Sequence, residues 1–284
     1  MTPWVLLRGL TREARHWGAL PQRLALELDG ACVLTPDLPG NGDRHAEHSP
    51  ASVAGHVAAC RSALEATGHA PPYALLGLSL GGMVAMAWTA RHPDEVRGLV
   101  LVNSSARGTG PWHRRLRPRA WPELARVVLA RDALRRERAV LALTTCHPAT
   151  AADPLVADWA RWAAERPVST ANAMRQLVAA ARFSVPEPAP GVPVLVLASG
   201  GDALVDPACS CALASAWNAR LARHPTAGHD LPLDDPGWVA TTVGSWWRDA
   251  AKAEARLAPE AGPASGRQAS ATSSTMAGAD SALR

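Results

Sequence analysis

Hydrophobic positions along the chain follow two periods in turn. Short, nearly unbroken apolar runs stand at Trp4 to Leu7, Cys32 to Leu34, Tyr73 to Leu78, Leu99 to Val102 and Val194 to Leu197. Each has the length and continuity of a strand buried on both faces. Between these runs apolar residues recur at helical spacing. Val53, Val57, Cys60 and Leu64 share one face, with Ser52 or Ser49 placed to cap that helix and Gly68 to end it. Leu80, Met83, Val84, Ala87 and Trp88 form a second such face, and Val239, Val243, Trp246 and Trp247 a third, after Pro236. Strand and helix in alternation predict a parallel sheet covered on both faces by helices.

From about Arg107 to Phe183 the alternation stops. Prolines at 111, 118 and 122 precede several helical stretches without a strand-like run, and "PEPAPGVP" leads back to the next apolar run. The later part, "VADWARWAAERPVSTANAMRQLVAAARF", predicts two amphipathic helices split by Pro167, the second capped by Ser169. The expected division is therefore a core over 1–106 and 190–250, with a helical insertion over 107–189. From 251 to 284 the chain turns to Ala, Ser, Gly, Glu and Arg, with Leu257, Met276 and Leu283 the only large apolar residues. Such a segment cannot offset its own ordering entropy, and a disordered tail is expected. No internal repeat is visible.

Composition narrows the class without naming a function. The 284 residues are 48% hydrophobic and 19% charged, ordinary for a globular chain with a sizeable core. Pro3 and Arg8 interrupt the one early apolar stretch, so no signal peptide is expected, and no run is long enough to span a membrane. The expectation is a soluble, cytoplasmic protein. Five scattered cysteines (Cys32, Cys60, Cys146, Cys209, Cys211) suit reduced thiols better than a disulfide framework. Cys209 and Cys211 form a C-x-C, but no histidine or second cysteine pair stands at zinc-site spacing, and no metal is expected. The formal charge of +4 is mild but unevenly spread. Between Arg107 and Arg138 ten arginines stand against three carboxylates, a local charge of +7. No recognisable nucleic-acid-binding module accompanies them, so nucleic acid is not an expected partner.

The candidate chemistry begins at "GLSLGG", where a buried apolar run gives way to helical spacing at Ser79. A corner that sharp strains its central residue and brings backbone close, and Gly77 and Gly81 remove the side chains that would obstruct it. A serine hydroxyl needs a base to take its proton, and an imidazole base needs a carboxylate to fix its tautomer. Downstream, "VPVLVLASGGDALVDP" supplies Asp202 just past a buried run and Asp206 four residues later, and "HPTAGHDLPLDDPGWV" supplies His229 before the last helix. His16, His56, His69, His92 and His224 fall in or beside helices, and His45, His48, His113 and His147 in loops. None of these has a carboxylate placed by sequence to orient it. Asp37 in "DLPGNG" reads as a turn residue, and Asp230, Asp234 and Asp235 as loop and cap residues of the last helix.

"LLRGL", "DLPGNG", "GLSLGG", "RHPDEVRGLVLVNS", "GGDALVDP" and "GHDLPLDDP", spread from Trp4 to Arg248, resemble an α/β-hydrolase of the lipase and esterase type. The resemblance implies a mostly parallel α/β sheet, with 107–189 as a cap or lid. Because Met1 stands almost directly before the first strand, a reduced sheet of about six strands is expected. It implies Ser79 as nucleophile, His229 as general base and Asp202 as the orienting acid, Asp206 being the near competitor. Some members carry the acid after the preceding strand, where Asn103 stands here. The oxyanion hole falls to the backbone amides of Leu80 and Leu10. Where His-Gly is usual before that second donor, this chain has Arg8-Gly9, and Arg8 could pair with an internal acid or with a substrate carboxylate. Trp112, Trp121, Trp159 and Trp162 could line an acyl site or simply pack. Arg8, Trp112 and Trp159 are the candidate substrate-contacting residues.

The implied activity is hydrolysis of a carboxylic ester or thioester through an acyl-enzyme, without a cofactor. Acyl transfer or cofactor-free perhydrolysis on the same triad, and a non-catalytic ligand-binding protein of the same fold, remain open alternatives. The arginine cluster has three readings: a solvated face, attraction for an anionic substrate, or docking of an acidic carrier protein. The oligomeric state is not read from the sequence.

Overall fold

A computed structural model describes residues 1–146 and 153–257. Six strands, β1 (Trp4–Leu7), β2 (Val33–Leu34), β3 (Tyr73–Leu78), β4 (Val96–Val102), β5 (Val194–Ser199) and β6 (Arg220–His224), form one sheet in the order β2-β1-β3-β4-β5-β6. Every neighbouring pair is parallel. The parallel α/β sheet of six strands expected from the sequence is thus present. Five of its strands coincide with the apolar runs. The sixth, β6, reads "RLARH" and pairs with β5 alone, and an edge strand half open to solvent carries no apolar run to betray it.

Alternation along the inner strands divides the core. Val5, Leu7, Leu75, Leu99 and Leu101 face α2 (Val53–Ala66) and α3 (Leu80–Arg91), following α1 (Leu20–Glu27) in the chain. Trp4, Leu6, Leu76, Val100 and Leu197 face the opposite layer, where α1 supplies Leu20 and Leu24. Burying side chains of this size stabilises by roughly 1.5–3 kcal/mol each, which is why both strand faces are apolar. The Ser52 hydroxyl accepts from the Gly55 amide and so caps α2, and Gly68 follows its end at φ 76°, where glycine avoids a Cβ penalty.

Between β4 and β5 lie α4 (Trp112–Arg115), α5 (Trp121–Leu129), α6 (Ala133–Thr144), α7 (Pro154–Glu165) and α8 (Thr170–Arg182). Pro167 separates the last two, and Ser169 caps α8 by accepting from the Asn172 amide. After β5 come α9 (Pro207–Ala216), the short α10 (Leu231–Asp234) and α11 (Pro236–Leu257), whose Val239, Val243 and Trp246 cover the sheet beside α1. The last helix runs past the boundary expected at Ala251, and the rest of the expected tail, from 258, lies outside the described residues. No helix among the described residues is long and apolar enough to cross a membrane.

Candidate active site

Register brings the carboxyl ends of the central strands level: Leu7 pairs with Gly77, Leu78 with Val102, and Val102 with Leu197. In open parallel sheets this edge collects side chains from several loops.

Ser79 is the one residue between β3 and α3. Its backbone, at φ 54° and ψ −115°, lies in a region that costs a non-glycine residue about 1–3 kcal/mol. Its surroundings hold it there. Its amide donates to the Val102 carbonyl at 3.0 Å, and its own carbonyl accepts from the Ser104 hydroxyl at 2.7 Å. A Cβ on Gly77 would come within 2.5 Å of the Gly82 Cα, and one on Gly81 would collide with the Leu7 carbonyl oxygen. The two glycines therefore let the first turn of α3 press against the ends of β3 and β1. From the loop after β1, Gly9 comes within van der Waals reach of Ser79, an added Cβ lying 3.5 Å from that of Ser79. Leu10 follows it directly. Leu80 opens α3, so its amide is one of those a helix leaves without an intrahelical acceptor, at the positive end of the dipole.

Asp202 and His229 meet in the interior. Nδ1 of His229 stands 2.8 Å from Oδ2 of Asp202, and both side chains are almost fully buried. Since a carboxylate can only accept, this contact places the proton on Nδ1 and leaves the Nε2 lone pair available. The other carboxylate oxygen accepts from the amides of Leu204 and Val205 at 2.8 and 2.9 Å, which fixes its orientation. Asp206 is occupied elsewhere: it caps α9, accepting from the Ala208 amide at 2.9 Å. Burial presses the His229 imidazole toward its neutral form and Arg8 adds to that pressure. The charge and hydrogen bond of Asp202, with the charge of Asp230, outweigh both and raise its pKa above the ordinary 6.5.

Asn103, which the sequence offers only as the occupant of an alternative acid position, proves to be a junction. Its side-chain oxygen accepts from the Ser199 amide at 2.9 Å, and its Nδ2 donates to the Ser199 hydroxyl and to the His229 carbonyl, each at 2.8 Å. An asparagine at a strand end with φ 46° is a local signal; a bond to a loop 126 residues away is not legible in one dimension.

The insertion also reaches this edge. Gln176 of α8 accepts from the Thr11 amide at 2.9 Å, just past Leu10. Arg117 and Arg119 donate to the Asp202 carbonyl, and the Thr144 carbonyl at the end of α6 accepts from the Asp230 amide at 2.6 Å.

Of the three candidate substrate-contacting residues, Arg8 is paired with Asp230 through both terminal nitrogens, at 3.0 and 2.6 Å. Trp159 is buried in a cluster with Leu141 and Val156, its ring edge-on to His16. Trp112 is 64% exposed and stacks on Trp121. His16 is held well below the usual imidazole range by burial and by Arg12 and Arg8, so it stays neutral. Asp37 accepts from the amides of Ala14 and Asp43 and thereby joins two loops, which goes beyond a local turn. His147 lies outside the described residues.

The sequence matches the family described as alpha/beta hydrolase over residues 4–242. It is 38% identical over 104 residues to a pimeloyl-[acyl-carrier protein] methyl ester esterase of Chromobacterium violaceum, covering 36% of this chain and 37% of that one. It is 35% identical over 97 residues to the lipase LipV of Mycobacterium tuberculosis, covering 34% and 35% respectively. The matched segments thus span little more than a third of those relatives. The meta-cleavage product hydrolase of Pseudomonas fluorescens superposes with a TM-score of 0.70 over 88% of this chain and 92% of that one, at 18% identity, a likeness of fold alone.

Proposed function

Because the chain belongs to the alpha/beta hydrolase family, matched over residues 4–242, we propose that it is a serine-dependent hydrolase of carboxylic esters or thioesters. The observation that carries this reading is the buried 2.8 Å contact between Asp202 and His229, at the sheet edge where Ser79 is held in a strained corner. In the proposed reaction His229 Nε2 takes the Ser79 proton as Oγ attacks the acyl carbon. The oxyanion that develops is met by the amides of Leu10 and Leu80, donors already fixed in place before the charge appears. His229 then returns the proton to the departing alcohol or thiol, and later activates the water that releases the acid. Asp202 supports the imidazolium formed in both halves, and helices α4 to α8 act as the cap over the site.

A specific observation favours a carrier-bound or otherwise anionic substrate. Arg126, Arg131, Arg135 and Arg138 border a cleft of about 670 Å³ between α5 and α6, with Leu129 and Ala139 beside them. Glu123 also lines it and pairs with Arg126, and Asp132 pairs with Arg135, which leaves the cleft net cationic. Leu129 is 77% exposed there. Cationic and apolar groups together suit an acidic carrier protein, and the relative from Chromobacterium violaceum is named for a carrier-bound ester.

A panel of esters varied in acyl length and charge, assayed across pH and salt, tests both statements. Only neutral His229 can act as base, so a raised pKa predicts that kcat/KM climbs with pH through an inflection above 6.5 and is lost as pH falls through it. Between about 0.05 and 0.5 M salt, kcat/KM on the anionic member should fall several-fold while the neutral member changes little. No turnover of any ester or thioester would overturn the hydrolase reading. Equal salt responses would leave the arginines as solvated surface.

A further inference from the structure

Arg8 and Asp230 are 222 positions apart in sequence, and each adjoins the proposed machinery. Asp230 directly follows His229. Arg8 directly follows β1 and precedes Gly9, which abuts Ser79, and Leu10, whose amide is a proposed oxyanion donor. The guanidinium and carboxylate meet as two parallel hydrogen bonds, at 3.0 and 2.6 Å, with the side chains only 4% and 5% exposed. Trp17 supplies a face beneath the guanidinium, 4.7 Å from its carbon to the ring centre, and Arg8 Nε has no hydrogen-bond partner among the described residues. Orientation of the guanidinium therefore comes through Asp230 and the indole.

We propose that Arg8 and Asp230 are a positioning pair which fixes the oxyanion loop and the histidine loop relative to one another, and not a receptor for a substrate carboxylate. This rests on the serine hydrolase reading. An ion pair so deeply buried stabilises a fold little more than an apolar pair of equal volume would, but a bidentate contact fixes both distance and plane. The two loops otherwise belong to separate stretches of chain, each anchored to its own neighbours: Thr11 to Gln176, and the His229 and Asp230 backbone to Asn103 and Thr144. The pair is a direct, doubly hydrogen-bonded side-chain link between them, beside the packing of α10 against residues 14–17. Proton transfer and oxyanion stabilisation must be aligned at the same instant, and an error of about 1 Å in such geometry can cost on the order of 10²-fold in rate.

The test replaces both partners together, Arg8→Met with Asp230→Leu, because breaking the pair singly leaves an uncompensated buried charge. Thermal unfolding, kcat and KM are measured for the wild type, the double variant and Ser79→Ala on one neutral and one anionic ester. The double variant should unfold within a few degrees of wild type, while kcat on both esters falls by about 10²-fold and KM changes by less than about threefold. A folded double variant with wild-type kcat would overturn the positioning role while leaving the hydrolase reading intact. A rise in KM confined to the anionic ester would overturn it in favour of substrate binding. A double variant that does not fold would overturn it as well, by making the pair structural. Wild-type protein without Ser79-dependent turnover would overturn both proposals.

Discussion

Ser79→Ala is expected to lower kcat by about 10⁴- to 10⁶-fold while leaving the protein folded, since removing a nucleophile that acts as a unit with its base costs nearly the whole covalent pathway. The fold should tolerate the change, because the Ser79 contacts that tie the corner together run through its backbone, to Val102 and from Ser104. Alanine keeps both. It inherits the same strained dihedrals, so unfolding temperature should move by only a few degrees. His229→Ala should cost a similar factor in kcat, and the double variant scarcely more than either single one, since in the proposed mechanism hydroxyl and imidazole serve one proton transfer. Steady-state turnover of an activated ester with a thermal melt on each variant checks this. Full activity in Ser79→Ala would refute the assignment.

The second large effect concerns a residue without a side chain. In the first turn of a helix, Gly→Ala ordinarily stabilises by about 0.5–1 kcal/mol through backbone entropy. At Gly81 the sign should reverse. The new methyl would collide with the Leu7 carbonyl, and the Arg8 carbonyl lies 2.7 Å away, both of them backbone at the end of β1. Neither can rotate aside as a long side chain would. Gly81→Ala should therefore cost about 3 kcal/mol or more, a drop of roughly 6–12 °C in a domain of this size. Any folded fraction should turn over slowly, because the shift separates the Leu80 amide from the loop that carries Leu10. Gly191→Ala, at a glycine with nothing within 4 Å of the new atom, is the control and should stay within about 0.5 kcal/mol.

How far the sequence could be read follows from which forces are local. Strands buried on both faces announce themselves as apolar runs, and β3 to Ser79 to α3 announces itself by a change of period, because burial and backbone strain act on adjacent residues. Asp202 and His229 could be nominated by chain order, and the structure puts them 2.8 Å apart. Strand β6 escaped because an edge strand needs little apolar surface. Asn103, Gln176 and the partner of Arg8 escaped for another reason: each acts through hydrogen bonds to a distant segment, and polar residues in loops look alike until the chain is folded. Trp159 shows the converse, since helical spacing marks it as apolar-facing but does not say that it lies against His16 and Arg12.

The most direct test of the proposed nucleophile is the intact mass and peptide map of the protein after brief treatment with a fluorophosphonate at pH 8. A single adduct on the Ser79 oxygen, absent from Ser79→Ala and at most trace in His229→Ala, is the expected result. Wild-type protein that emerges unmodified, or an adduct carried by another residue and undiminished in both variants, would contradict an imidazole-activated serine at this corner.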